Sequence, residues 1–418
     1  MLRTLAIGIL TATLAATQQP PQQPPPPTFK VEVNYVEIDA RVADAQGNFV
    51  RDLTQNDFQI LEDGKPQTIT AFTRVDLPVE RHDPPLFKTA PLEPDVQSNL
   101  EEFSGRVWLL VLDDLQTKPT RTALVRAAAR QFIQRYVSAN DLAAVVTTGG
   151  FSNATQDFTN NQARLIAAVN KFIGQKPARD QSSDMERGFK ARNTYSTLRN
   201  LADYLAPVRG RRKAVLWIGE GVDYDITNDF ASRDASVVRD AMREVAERAN
   251  RQNVSFYGID ARGLGAGLDE AIEISGVPDE TNDTAAIRRE VRNAQDSLRF
   301  VSEETGGFAI VEKNDMNASF ERIVRDNSSY YVLGYYSPNE KPDGKFHKVE
   351  VRVSRPGLRV QSRNGYNAPK GKPASSAVTA QVSPEIRDAL ANPVPTSGVG
   401  LTISAAPFSG PGSRSSVA

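Results

Sequence analysis

The chain of 418 residues contains no cysteine, and its only histidines are His82 and His347. Absence of cysteine excludes disulfides, thiol nucleophiles, thiolate metal sites and a lipidated N-terminal cysteine, so stability has to come from core packing. One histidine lies in a proline-rich stretch and the other in a predicted strand, which leaves no basis for a Ser-His-Asp arrangement or a histidine-ligated zinc in a cleft. An excess of one charge is also missing: 50 Lys and Arg stand against 51 Asp and Glu, in no long block of like sign. That balance excludes a nucleic-acid partner and an electrostatic hold on a membrane surface. Beyond the N-terminus no apolar run is long enough to span a bilayer, so no stable membrane anchor is expected.

What is present begins with MLRTLAIGILTATLAATQ, a basic residue before a short apolar run that ends in small residues. This is the layout of a signal peptide over residues 1–17, and it predicts export to the periplasm or the extracellular space. QQPPQQPPPP follows, a polyproline-II spacer over 18–28. Residues 29–77 then alternate with period two, as in VEVNYVEIDARVAD, and carry turn signals at Gln46-Gly47-Asn48 and Asp63-Gly64. Prolines at 78, 84, 85, 91 and 94 mark residues 78–104 as a linker.

From residue 105 to 328 strands and helices alternate: strands at 107–112, 142–147, 155–158, 214–219, 254–260 and 308–311, helices at about 119–137, 160–173, 195–206, 233–252, 285–304 and 316–327. The polar stretch 174–192 reads as a long loop. The pattern predicts an α/β domain with a doubly wound, mostly parallel sheet. Strands return at 330–337, 347–354 and 358–366, and because neither flank closes a sheet alone, 329–367 is expected to complete the β-sandwich begun at residue 29. Residues 368–418 turn to Pro, Ser, Ala and Gly and predict a flexible tail, in which GLTIS is a strand-like piece with no visible partner.

In open parallel sheets ligands gather beyond the carboxyl ends of the strands. The residues there are Asp113, Asp114, Leu115, Gln116 and Thr117 after VWLLVL, Asn193 to Thr197 before a predicted helix, and Gly219-Glu220-Gly221-Val222-Asp223 after AVLWI. With the flanking segments LTQNDFQILEDGKPQTITAF, IDARGL, ETGGFAI, YYVLGYYSPNEKPDGKFHKVEVRV and RNGY, this order resembles von Willebrand factor type A (VWFA) domain proteins, in particular the VWFA-related proteins found mainly in Acidobacteria, over residues 29–366.

The resemblance implies a metal-ion-dependent adhesion site that binds Mg²⁺ or Mn²⁺ through hard oxygens and leaves a place for the carboxylate of a protein partner. Matched residue by residue, it points to Asp113, Thr117, Thr194 and Glu220, with Thr197 the alternative to Thr194. Leu115 stands where the family has a coordinating Ser, and Glu220 where it has Asp, so the site is degenerate. The implied function is an exported, non-enzymatic adhesion or assembly module; the alternatives are a metal-independent structural scaffold and, with less behind it, a hydrolase. RGLGAGL lacks the dinucleotide spacing, Asp223 and Asp225 read as solvated loop acids, and Arg209, Arg211, Arg212 and Lys213 read as an exposed basic turn.

Overall fold

The computed structural model of the protein describes residues 35–79, 96–98, 105–150, 154–177, 182–208, 211–227, 234–265, 284–339, 344–368, 402–404, 407–409 and 415–417. The expected signal peptide, the Pro/Gln spacer and most of the 78–104 linker and of the tail lie outside the described residues.

A five-stranded sheet forms from β6 (Val107–Leu112), β7 (Leu142–Thr147), β8 (Gln156–Thr159), β9 (Lys213–Gly219) and β10 (Val254–Asp260), in the order β10-β9-β6-β7-β8. All pairs are parallel except β7 with β8, which is antiparallel. The strands are almost continuously apolar because both faces are covered. Trp108, Leu110 and Leu112 of β6 pack on α1 (Thr122–Tyr136), α2 (Gln162–Lys171) and α6 (Asn317–Asp326). Val107, Leu109 and Val111 point the other way, into α3 (Asp184–Tyr204), α4 (Ala235–Arg251) and α5 (Thr284–Glu304). The period-two alternation of one strand therefore feeds two cores.

Two antiparallel sheets complete the architecture. One has the order β13-β1-β11-β4, from β1 (Tyr35–Ala43), β4 (Ile69–Asp76), β11 (Ser329–Tyr336) and β13 (Arg359–Gln361). The other has the order β14-β12-β2-β3, from β2 (Phe58–Glu62), β3 (Lys65–Gln67), β12 (Phe346–Val353) and β14 (Gly365–Asn367). Their inward residues, among them Ile38, Ile60, Tyr331, Leu333 and Val351, share one core. Tyr35 pairs with Tyr336 and Phe58 with Val353, so strands before and after the α/β region lie side by side.

Four local expectations change. The polar stretch 174–192 is not one loop: α3 starts at Asp184, capped by the Ser183 hydroxyl, which accepts from Glu186 N at 3.2 Å. Its first turns bury little beyond Gly188 and Ala191, so the apolar period was too thin to read. FAIV forms only a single bridge, Ile310 to Ile259. Residues 358–366 split between β13 and β14, which belong to different sheets. Finally Thr402–Ser404, within GLTIS, pairs with β5 (Val96–Ser98) inside the expected linker, and Pro407–Ser409 pairs with Ser415–Val417. A partner some 300 residues away leaves no local trace in sequence.

Candidate functional site

The chain leaves β6 through α1 toward β7 on one side, and leaves β9 through α4 toward β10 on the other. Strand order therefore reverses between β6 and β9, and a crevice opens at their carboxyl ends, where α/β sheets place ligands. It is lined by Leu115, Gln116, Lys118, Lys176, Pro177, Ser182, Arg187, Lys190, Glu220, Asp223, Arg262, Glu290 and Val291, and its free space is about 40 Å³. That is room for a few water molecules or one functional group of a partner.

Asp113 is fully buried, just before the loop residues Leu115, Gln116 and Lys118 that line the crevice. Its Oδ2 accepts from the Trp217 indole N–H at 2.8 Å, and its Oδ1 faces the Thr148 hydroxyl at 2.7 Å and the Gln116 amide at 3.3 Å. Burial raises its pKa to about 7; the Thr148 and Trp217 hydrogen bonds oppose the rise and the charge of Asp114 adds to it. The Thr148 hydroxyl also lies 3.0 Å from Asp114 Oδ1. One hydroxyl has one proton, so the chain Asp113 Oδ1–H to Thr148 to Asp114 satisfies every member when Asp113 holds a proton. Asp114 is otherwise engaged by Gly149 N at 2.7 Å and Gln175 Nε2 at 2.8 Å.

The other expected ligands are differently placed. Thr194 lies in the middle of α3 rather than on a preceding loop, and its hydroxyl accepts from Gln116 Nε2 at 3.4 Å. The alternative, Thr197, donates to Thr148 O at 3.0 Å. Glu220 Oε1 accepts from Lys118 N at 2.8 Å. Glu220 Oε2 and Thr117 Oγ1 are buried with no hydrogen-bond partner among the described residues. Gly219 brings the two loops together: a Cβ there would meet Asp113 Cβ at 2.7 Å and Thr117 Oγ1 at 3.2 Å.

Cations already stand in this crevice. Lys176 Nζ pairs with Asp223 Oδ2 at 2.9 Å. Burial pulls the Lys176 pKa down, but Asp223 and then Glu220 outweigh it and leave it raised; Asp223 is in turn held below the usual carboxylate range, Lys176 prevailing over burial. Asp223 is thus a paired, mostly covered acid rather than a solvated one. Arg262 grips Asp260 with two bonds, at 2.9 and 3.0 Å, and donates to Glu220 O at 2.9 Å. Arg212, expected on an exposed turn, is partly buried and donates to Ser255 Oγ and Asp326 O.

These observations decide the fit to a divalent cation. Thr117 Oγ1 and Glu220 Oε2 favour one. Against it, Asp113 is already bonded to Trp217, Thr148 and Gln116, Thr194 is engaged, Leu115 offers only carbon, and the Lys176 ammonium already supplies positive charge to Glu220. The four residues together do not fit Mg²⁺ or Mn²⁺. Among the described residues, the group of His and acid side chains with ligand atoms within 4.8 Å of one another lies elsewhere, at Glu62, Asp63 and His347, and that group has the donors to hold a metal ion. It draws on β2, its turn and β12, whose pairing over nearly 300 residues gave the sequence no means to bring them together.

No protein-family model matches the sequence, and no curated protein matches it. A solved structure with some likeness is that of three N-terminal domains of the type V pili tip protein Mfa5 from Porphyromonas gingivalis, at 9% sequence identity and a TM-score of 0.33. The match covers 63% of this chain and 56% of that one, so this chain spans little more than half of its length. Such values carry neither fold nor role across. No helix among the described residues is long and apolar enough to cross a membrane.

Proposed function

We propose that the chain is an exported, non-enzymatic protein-binding module of the von Willebrand factor A type, set between the two halves of a β-sandwich, and that its crevice engages an acidic partner without a divalent metal. One observation carries the reading. At the point where strand order reverses, the described lining places five cationic side chains, Lys118, Lys176, Arg187, Lys190 and Arg262, against three acidic ones.

In a metal-dependent site a cation on the floor draws in the partner's carboxylate. Here Lys176 pairs with Asp223 and faces the charge of Glu220, and Arg262 pairs with Asp260, all from inside. The partly exposed Lys118 and Lys190, the latter paired with Glu186 at 3.1 Å, stand at the rim, where they would face an acidic partner. Leu115 and the hydrogen bond from Trp217 to Asp113 agree with a metal-free reading, in which these positions serve structure rather than coordination. A hydrolase reading has less support, because Asp223 is committed to Lys176 and Glu220 to the Lys118 amide rather than poised beside a nucleophile.

The test is binding of a fluorescent Asp/Glu-rich decapeptide to the full chain, measured by anisotropy beside the same peptide with Asn and Gln in place of its acids. The acidic peptide should bind at least tenfold more tightly, and Lys118→Glu with Lys190→Glu should weaken it at least fivefold. Equal binding of the two peptides, or binding indifferent to both substitutions, would overturn the reading.

A further inference from the structure

β2 ends at Glu62 and turns through Asp63 and Gly64 into β3, with φ of 50° and 79° at the two turn residues. This is the left-handed pair that an Asp-Gly hairpin turn supplies. β12 runs alongside with Val349 opposite Glu62, and the turn is tied to it: Asp63 N donates to Lys348 O at 2.8 Å, and Lys348 N donates to Asp63 Oδ1 at 2.9 Å. The register brings His347 against both acids, its Nδ1 2.7 Å from Asp63 Oδ2 and 3.8 Å from Glu62 Oε1.

We propose that Glu62, Asp63 and His347 form a binding site for a divalent transition-metal ion of the Zn²⁺ or Mn²⁺ class, held by His347 Nδ1 and one oxygen from each carboxylate. Metal–ligand bonds of about 2.0–2.1 Å in a tetrahedron set ligand atoms roughly 3.3 Å apart. The separations of 2.7 and 3.8 Å from Nδ1 bracket that distance, so shifts of about half an ångström bring each carboxylate oxygen to it.

The surroundings are arranged as metal ligands need. Glu62 Oε1 accepts from Ser337 Oγ at 2.7 Å and from the Tyr366 hydroxyl at 3.1 Å, while Asp63 Oδ1 is fixed by the Lys348 amide. His347 Nε2 lies 2.6 Å from the side-chain amide of Asn339. The two ends of an amide are interchangeable by a flip. With its oxygen toward the ring, Asn339 accepts from Nε2–H and leaves the Nδ1 lone pair facing the acids, the outer hydrogen bond that ligating histidines characteristically make.

Charge is the second argument. Glu62 is 3% exposed, and among the described residues the Tyr335 hydroxyl is the further donor that faces this carboxylate beside Ser337 and Tyr366. Two adjacent carboxylates, one of them buried among neutral hydroxyls, are costly unless positive charge accompanies them. A protonated imidazole balances one; a dication balances both. One imidazole with two carboxylates suits Zn²⁺ or Mn²⁺ better than Mg²⁺, which prefers oxygen and water alone, or copper(I), which prefers sulfur. Asp63, whose side chain is 50% exposed, leaves the ion a way in from solvent. Once bound, it ties the β2–β3 turn to β12 and, through Asn339, to the connection from β11.

The test uses the full, tag-free chain stripped with a chelator and titrated calorimetrically with Zn²⁺ alone. One ion per chain should bind, Asp63→Asn and His347→Ala should each weaken it at least tenfold, and His82→Ala should leave it unchanged. Asp63→Asn changes a half-exposed turn residue and preserves the fold if His347→Ala does not. Absence of stoichiometric binding, or binding that ignores Asp63→Asn, would overturn the proposal.

Discussion

The indole N–H of Trp217 in β9 donates to Oδ2 of Asp113 at the end of β6, 2.8 Å away, with both side chains fully buried. The bond ties β9 to the end of β6 and gives the acid a structural task. At the amino end of the sheet the same device recurs: the indole of Trp108 donates to Asp141 Oδ2 at 3.2 Å, beside the Arg106–Asp141 ion pair. The two tryptophans of the chain each spend their N–H on a buried aspartate.

Trp217→Phe keeps an aromatic ring in β9 and removes the donor. It should cost about 1–3 kcal/mol at pH 8, from the orphaned oxygen, with a further packing loss. Urea unfolding of both proteins checks it; an unchanged midpoint would mean that the indole bond is idle.

Asp113 gives a pH signature. Its folded pKa of about 7 lies above the ordinary 3.8, so the native state takes up a proton that the unfolded chain releases. The stability this group contributes is complete below the unfolded pKa and is lost as pH rises through the folded one. Asp113→Asn places an amide donor toward Thr148 and an acceptor toward Trp217, mimicking the protonated acid. The variant should therefore gain on wild type between about pH 4 and pH 7, by on the order of 1 kcal/mol per pH unit, and the gap should stay constant above. Urea titrations at several pH values check the difference; a gap that is flat across this window would contradict it.

The Lys176–Asp223 pair, with side chains 15% and 11% exposed, should be strongly coupled. Lys176→Met strands a mostly covered carboxylate and should cost up to about 3 kcal/mol. Lys176→Met combined with Asp223→Leu should recover more than half of that. A double-mutant cycle reads the coupling directly, and additive costs would show the pair to be incidental.

Gly219→Ala should destabilise the chain or displace the 113–117 loop, because its Cβ would stand 2.7 Å from Asp113 Cβ. Thermal unfolding of the variant checks this; a melting temperature equal to wild type would mean that the two loops are looser than the geometry states.

Much of the architecture was legible in sequence because periodicity reports burial. The apolar runs at 107–112, 214–219 and 254–260 became parallel strands, and the Asp-Gly turn took the positive φ its residues favour. The start of α3 was hidden by its polar first turns, and β5 by a partner near the other end of the chain. At the crevice, sequence located the residues but not their engagements. A tryptophan in a buried strand needs an acceptor for its N–H, and that requirement, applied to Trp217, was the available clue that Asp113 was already occupied. The Lys176–Asp223 pair gave no such clue, since Lys176 sat in what read as a solvated loop. Glu62, Asp63 and His347 were out of reach because only the β2–β12 register unites them.

The central claim is that the crevice captures an acidic partner with the chain's own cations. The most direct measurement is anisotropy of the labelled acidic peptide with the Asp63→Asn chain, which disables the separate metal site, first in excess chelator and then in millimolar Mg²⁺. The account predicts binding in chelator that Mg²⁺ does not strengthen. Binding that appears only with Mg²⁺ and is lost in Glu220→Gln would contradict it.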